Sequence, residues 1–332
     1  MNIKETLTYG DIAETPGLLE KFSARAGALK KLALRSREKT VYLVGRGSSG
    51  TATLFAKYIW EGYAGTITNF IHPHSIFEAR KPLNFKGQAV WAFSQSGRSQ
   101  DITACLEKLV KWGARGVAVT NEAELKNNPL ARLAGRHILL SGSKEVPVAA
   151  TKSFELQLWA VLWTAQAWSR CFTAKDFSDA VAAAREAVRE NYGGDALLKK
   201  IKKARMLGFV GRGAFNAVAE DSALKFREMA KAHALGYSAA EFLHGPVGAY
   251  TSKDLVFLFT PSDKLPEDLV KVVKALDERG TPYEVVRPGR LKFPFSCIPV
   301  DMRMKLLALR LSLSKGLNPD NPKGLNKVTQ TF

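Results

Sequence analysis

The chain has 332 residues, 46% of them hydrophobic and 10% aromatic, which is apolar material enough for two close-packed cores and excludes the disordered class. Its formal net charge of +18 invites a nucleic-acid reading, but Lys30-Lys31 and the basic run from Lys199 to Lys203 carry no aromatic platform or recognised motif. They read as solvated helix faces, and nucleic acid is not the expected partner.

The N-terminus, Asn2-Ile3-Lys4-Glu5, has no apolar targeting core, and the richest later run, Leu158 to Trp168, is too short to span a bilayer. Cys105, Cys171 and Cys297 are scattered without CxxC spacing, so they are expected to be reduced packing residues of a cytoplasmic protein. The first forty residues read as helical and are too short for an appended helix-turn-helix domain. Short apolar runs then alternate with longer helical stretches: Val41–Gly45, Thr66–Phe70, Ala89–Phe93, Gly116–Thr120 and His137–Leu140. That alternation predicts a parallel sheet covered by helices on both faces.

Helices are expected over Thr151–Arg170 and Ala174–Asn191, with turn chemistry at Tyr192-Gly193-Gly194-Asp195. The second half repeats the alternation, with strands at Met206–Gly211, Asp254–Phe259, Thr281–Val286 and Cys297–Pro299 and helices over Asn216–Ala232, Glu267–Arg279 and Met304–Lys315. Leu43-Val44-Gly45-Arg46-Gly47 recurs half a chain later as Phe209-Val210-Gly211-Arg212-Gly213, and Val90 to Ser96 recurs at the same offset as Val256 to Ser262. A period this long fits whole domains rather than a solenoid. Residues 1–180 are therefore expected to hold an N-terminal helical segment and one doubly wound α/β domain, and residues 190–332 a second such domain and a C-terminal tail.

Strand, Gly45-Arg46-Gly47-Ser48-Ser49-Gly50, then helix is an arrangement in which backbone N–H groups face an anion. No acidic residue ends the following strand, where Asn69-Phe70 stands, so this is not a dinucleotide fingerprint, and it lacks the Gly-Lys-Ser/Thr of a Walker loop. Ser94-Gln95-Ser96-Gly97-Arg98-Ser99 closes the third strand, so its hydroxyls project at the same carboxyl edge; helix capping by Ser99 and Asp101 is the plain alternative. Val148-Ala149-Ala150-Thr151-Lys152-Ser153 opens a long helix, where Thr151 or Ser153 could equally be only a cap.

In the second half Lys225 and Glu228 share a helix face, a spacing that usually means a solvated ion pair. His244 stands in Glu241-Phe242-Leu243-His244-Gly245-Pro246, where Gly-Pro fixes a turn and presents the imidazole. His72-Pro73-His74 lacks a third ligand and reads as a solvent-facing loop, so no metal site is expected. An anion cradle, a carboxylate, a His and amines suit proton transfer between adjacent carbons of a sugar phosphate, chemistry that needs no metal or cofactor. The positive charge would help gather such a substrate.

These motifs, together with the tail Pro322-Lys323-Gly324-Leu325-Asn326-Lys327-Val328-Thr329, resemble the sugar isomerase (SIS) domain family. The resemblance is to its double-domain form, found in the isomerase half of glucosamine-6-phosphate synthase and in related glucosamine-6-phosphate deaminases. It implies two tandem flavodoxin-like domains. It implies that Ser48, Ser49, Ser94, Gln95, Ser96 and Ser99 hold the sugar phosphate, that Val148 and Ala149 line the sugar, and that Glu228 moves the proton between C1 and C2. His244, reaching in from a neighbouring subunit, would open the ring, with Lys225 and Lys327 near the reacting carbons, so a homodimer with shared sites is implied. Arg98 stands where the synthases have Glu, Leu235 replaces a Glu, and Arg46 sits within the first Gly loop, departures that shift the likeness toward the deaminase and deglycase branch. With Asn2 where a glutaminase domain would carry its nucleophilic Cys, glutamine is not the expected nitrogen donor. The expected activity is glucosamine-6-phosphate deamination; a phosphorylated-fructosamine deglycase and a non-catalytic phosphosugar-binding regulator are the alternatives.

Overall fold

The computed structural model describes residues 2–327. One sheet contains β1 (Thr40–Val44), β2 (Ile67–Phe70), β3 (Ala89–Phe93), β4 (Arg115–Thr120) and β5 (His137–Leu139), in the order β2-β1-β3-β4-β5. The other contains β6 (Leu207–Gly211), β7 (Ala234–Ser238), β8 (Leu255–Phe259) and β9 (Tyr283–Val286), in the order β7-β6-β8-β9. Every pairing is parallel. The helices are α1 (Leu7–Ala24), α2 (Ala26–Arg35), α3 (Gly47–Ala64), α4 (Pro73–Phe77), α5 (Gln100–Lys111), α6 (Pro129–Ala134), α7 (Lys152–Ser169), α8 (Ala174–Arg189), α9 (Gly194–Lys203), α10 (Phe215–Ala230), α11 (Ala239–Leu243), α12 (Glu267–Asp277) and α13 (Cys297–Ser314).

Two compact units share the chain. Among the described residues, the first-sheet unit comprises Gly17–Glu145, Lys152–Thr173 and residues 326–327; the second-sheet unit comprises residues 2–16, Val146–Thr151 and Ala174–Leu325. The central strands are continuous apolar runs because a parallel sheet is covered on both faces: β3, β6 and β8 are buried along their whole length. Edge strand β2 is the opposite case, with Ile67 and Phe70 exposed.

In the first-sheet unit Trp91 of β3 packs edge-on against Trp60 of α3 and Trp168 of α7, ring centroids 4.8 and 5.7 Å away. Trp60 donates its indole N–H to the Val161 carbonyl at 3.1 Å, so the polar atom of a fully buried ring is satisfied. In the second-sheet unit Phe209 of β6 stacks on Phe257 of β8 at 5.1 Å. α7 and α13 are buried nearly all round, which is why neither shows a one-sided apolar stripe.

The recurring glycines have a steric cause. A Cβ on Gly45 would lie 2.8 Å from the Ser49 carbonyl oxygen, and one on Gly211 2.1 Å from that of Phe215. In both units the strand turns so tightly into its helix that a side chain at that position has no room.

Two expectations are corrected. Cys297–Pro299 is not a strand but the first turn of α13, where Pro299 loses nothing by lacking an N–H, since first-turn donors have no partner within the helix. A short apolar run cannot be told from the start of a buried helix by periodicity alone. β7 has no counterpart among the expected strands: it is an edge strand interrupted by Gly236, where a Cβ would meet the Glu220 backbone of α10 at 2.6 Å.

Candidate functional site

The order β2-β1-β3-β4-β5 reverses between β1 and β3, and open α/β sheets bind ligands outside the carboxyl ends of the strands at such a point. The loops that leave β1 and β3 there are the two Ser-rich segments. Ser48 and Ser49 lie in the first turn of α3, both 8% exposed. The Ser49 hydroxyl accepts from the Gln157 side chain of α7 at 2.9 Å, while the buried Ser48 hydroxyl has no hydrogen-bond partner among the described residues. An unpaired buried hydroxyl at a helix N-terminus is costly unless a ligand completes it.

Ser94 directly follows β3, and its hydroxyl meets that of Ser99 at 3.1 Å and accepts from the Gly97 N–H at 3.2 Å. Ser99 is the N-cap residue of α5 yet makes no side-chain capping bond, so the capping account of this residue fails and its hydroxyl belongs to the loop. The Ser96 hydroxyl accepts from the Arg98 N–H at 3.2 Å, and the Gln95 carbonyl accepts from the Asn121 N–H at 2.9 Å, which fixes the loop and leaves both side chains half-buried. Arg46 reaches from the first loop to Asp101 in the first turn of α5 at 2.7 Å, tying the two loops together.

A cavity of about 400 Å³ adjoins Gln95 and Ser96 and is walled by Arg98, Glu122, Lys144 and Lys327. Lys327 places its amine 2.8 Å from the carboxylate of Glu145, a side chain with no exposure. Glu145 also accepts from the N–H of Ser153 at 3.1 Å and from its hydroxyl at 2.8 Å, so Ser153 serves as an anchor for this carboxylate at the start of α7. Lys152 is buried and donates to the Lys144 carbonyl at 2.6 Å, holding the same loop. Val328 and Thr329, the end of the tail motif, lie outside the described residues.

The second-sheet unit carries the remaining predicted residues. Val148 donates its N–H to the Asp320 carbonyl at 3.2 Å, with Ala149 buried beside it. Lys225 and Glu228 of α10 form an ion pair, but it is not the solvated pair that the spacing suggests: Lys225 is 1% exposed and Glu228 22%. Burial alone would push the Lys225 amine down; the carboxylates of Glu228 and Asp221 outweigh it and hold the amine above its ordinary value. His244 follows α11, exposed at the turn, with its N–H bonded to the Ala240 and Glu241 carbonyls. Ser238 caps that short helix through a bond from the Glu241 N–H at 3.1 Å.

Sequence reasoning missed Glu145 and the buried charges behind Lys225, namely Asp221, Asp301 and Lys305. Their only signal is charge inside otherwise apolar helices, most visibly Asp301 and Lys305 one turn apart in α13. Among the described residues no cluster of His, Cys, Asp and Glu is set to hold a metal, and no helix is long and apolar enough to cross a membrane. Burial and the nearby Asp101 push the Cys105 thiol up to about 12.

The model of the SIS domain matches residues 34–167 and 200–286. The glutamine–fructose-6-phosphate aminotransferase (isomerizing) of Sulfolobus acidocaldarius is 29% identical over 265 residues, covering 75% of this chain and 44% of that protein. The chain thus spans about half the length of the curated relatives it matches. Among solved structures, the glucosamine-6-phosphate deaminase of Thermotoga maritima superposes with a TM-score of 0.78 at 23% identity, covering 98% of this chain and 99% of that one. The C-terminal domain of glucosamine-fructose-6-phosphate aminotransferase from Francisella tularensis gives 0.79 at 20%, covering 96% and 98%. At those identities the two structures speak for the fold, whereas the domain model covers most of the sequence: the chain belongs to the SIS domain family.

Proposed function

We propose that the protein is a phosphosugar isomerase acting on an amino sugar phosphate, a glucosamine-6-phosphate deaminase. Ser48, Ser49, Ser94, Gln95, Ser96 and Ser99 hold the phosphate, and Val148 and Ala149 line the sugar. His244, supplied by the second copy of a homodimer, opens the ring. Glu228 takes the proton from C2 and returns it to C1, giving the fructose imine, which water hydrolyses to fructose 6-phosphate and ammonia. Lys225 stabilises charge at the reacting oxygens, and Lys327 assists at C2.

The observation that carries this reading is the Lys225–Glu228 pair, a buried ammonium fixed against a carboxylate that keeps partial access to solvent. A solvated surface pair would serve no proton transfer; one with its cation locked in the fold holds the carboxylate in a single place. The test is release of ammonia and fructose 6-phosphate from glucosamine 6-phosphate by the purified protein, expected in equal amounts without added metal or glutamine. Binding without release removes the deaminase.

A second reading has its own support in the cavity beside Gln95 and Ser96. Arg98, Lys144 and Glu122 on its wall match the carboxylate and ammonium of an amino acid, the group that a phosphorylated fructosamine carries in place of the free amine. Release of an amino acid from such an adduct, with glucosamine 6-phosphate inert, selects that substrate.

A further inference from the structure

Behind Lys225 lies a chain of buried charge that the proposed proton transfer does not use. Lys305 of α13 is wholly buried and sits 2.5 Å from Asp301 on its own helix and 3.4 Å from Asp221 of α10, both also without exposure. Asp221 is one turn before Lys225 on α10, and Glu228 is one turn after it. Lys225 thus has a carboxylate on either side along its own helix. Burying this many charges is expensive, and apolar residues of similar size usually serve stability as well or better, so stability alone does not account for the set.

We propose that Lys305 and Asp301 are positioning residues for Lys225 and Glu228: by occupying Asp221, the buried cation of Lys305 leaves the Lys225 ammonium committed to Glu228. Asp221 is the more deeply buried of the two anions beside Lys225, 0% exposed against 22% for Glu228. A buried anion without a cation costs more than a partly hydrated one, so Asp221 would win the ammonium if Lys305 were absent. Asp301 holds Lys305 in place. The charged groups acting on Lys225 are Glu228 and Asp221 from α10 and Lys305 from α13, while β6 carries no ionisable side chain and β7 only Tyr237.

The inference rests on Glu228 as the base of the proposed reaction, so its test has one arm that needs no turnover. Asp301→Asn/Lys305→Met removes one anion and one cation and keeps the net charge of the set. It is expected to lower kcat for C2 proton exchange about tenfold or more, with KM within about twofold of the parent, since the phosphate ligands are untouched. Adding Asp221→Asn removes the competitor, and the triple variant is expected to recover most of the lost kcat. A double variant with parental kcat, or a triple variant that stays as slow as the double, overturns the proposal. In the structural arm, a crystal structure of the double variant is expected to show the Lys225 amine moved from Glu228 to Asp221; an amine still on Glu228 overturns it whether or not the parent turns over glucosamine 6-phosphate. If the double variant does not fold, Asp221→Asn alone is titrated by side-chain NMR, where Lys225 is expected to titrate lower than in the parent, and an unmoved titration overturns the coupling.

Discussion

Glu228→Gln isolates the proton-transfer step from binding. The side chain is 22% exposed and ion-paired with Lys225, so an amide of the same shape keeps an oxygen that can accept from the Lys225 ammonium while losing the charge and the basicity. The Lys225 ammonium then donates to a neutral oxygen in place of a carboxylate, which forfeits about 1.5–3 kcal/mol of stability, with Asp221 still beside the cation. Loss of a positioned carbon base costs about 10²–10⁴ in rate, or about 3–5 kcal/mol on the barrier. The assay is loss of the C2 hydrogen signal of glucosamine 6-phosphate in deuterium oxide, followed by NMR, beside calorimetric binding of the same compound. Exchange is expected to fall by that factor while the dissociation constant stays within about threefold, because the Ser-rich loops that hold the phosphate are unchanged. Exchange within about fivefold of the parent would remove Glu228 from the mechanism. A parallel collapse of binding would mean that the pair shapes the pocket rather than moving a proton.

Because the folded-state value of Lys225 is raised, its charge contributes stability that is complete below the ordinary lysine value of 10.5 and is lost as pH rises through the higher folded value. The difference in unfolding free energy between the parent and Lys225→Met, from urea melts, is therefore expected to be flat through neutrality and to narrow only in strong alkali; a gap that widens with pH refutes the sign. Ser99→Ala removes a hydroxyl 3.1 Å from that of Ser94 without removing a capping bond. It is expected to raise KM for the sugar phosphate about five- to tenfold, the worth of one hydrogen bond of about 1 kcal/mol, with the melting temperature almost unmoved; a lower melting temperature at constant KM would return Ser99 to a capping role. Gly211→Ala forces a Cβ to within 2.1 Å of the Phe215 carbonyl oxygen. Backbone displacement of that kind costs about 1–3 kcal/mol, read as a drop of several degrees by calorimetry, and an unchanged melt would show that the turn yields freely.

The parts of this fold that were legible in the sequence share one physical property: their pattern is local. β1, β3 and β8 are apolar runs bounded by turn residues, and they stand within a residue or so of their expected places because burial on both faces demands that composition wherever such a strand occurs. The Ser-rich loops were legible because a switch point needs small polar residues with free backbone donors directly after two strands. β7 escaped because an edge strand with a glycine forced by the approach of α10 lacks the composition of a strand, and the start of α13 escaped because a helix buried all round reads like any other apolar run.

The site divides in the same way. Ser94 and Ser99 stand five residues apart in one loop, so their meeting was legible; so was that of Lys225 and Glu228, but the spacing reads as a surface pair, since it fixes which side chains meet and says nothing about whether water reaches them. What turns that pair from a solvated ornament into a candidate for chemistry is the packing of α13, which buries Lys305 and Asp301 beside it from a point some eighty positions along the chain. Glu145 shows the same thing on the other sheet: nothing in Lys144-Glu145-Val146 marks it as buried, and it becomes a site residue only because α7 supplies Ser153 and the tail supplies Lys327. Charge state is a property of surroundings. Residues whose role depends on desolvation therefore become visible only once the fold has assembled their neighbours, and in this protein they are the ones that hold both lysines in place.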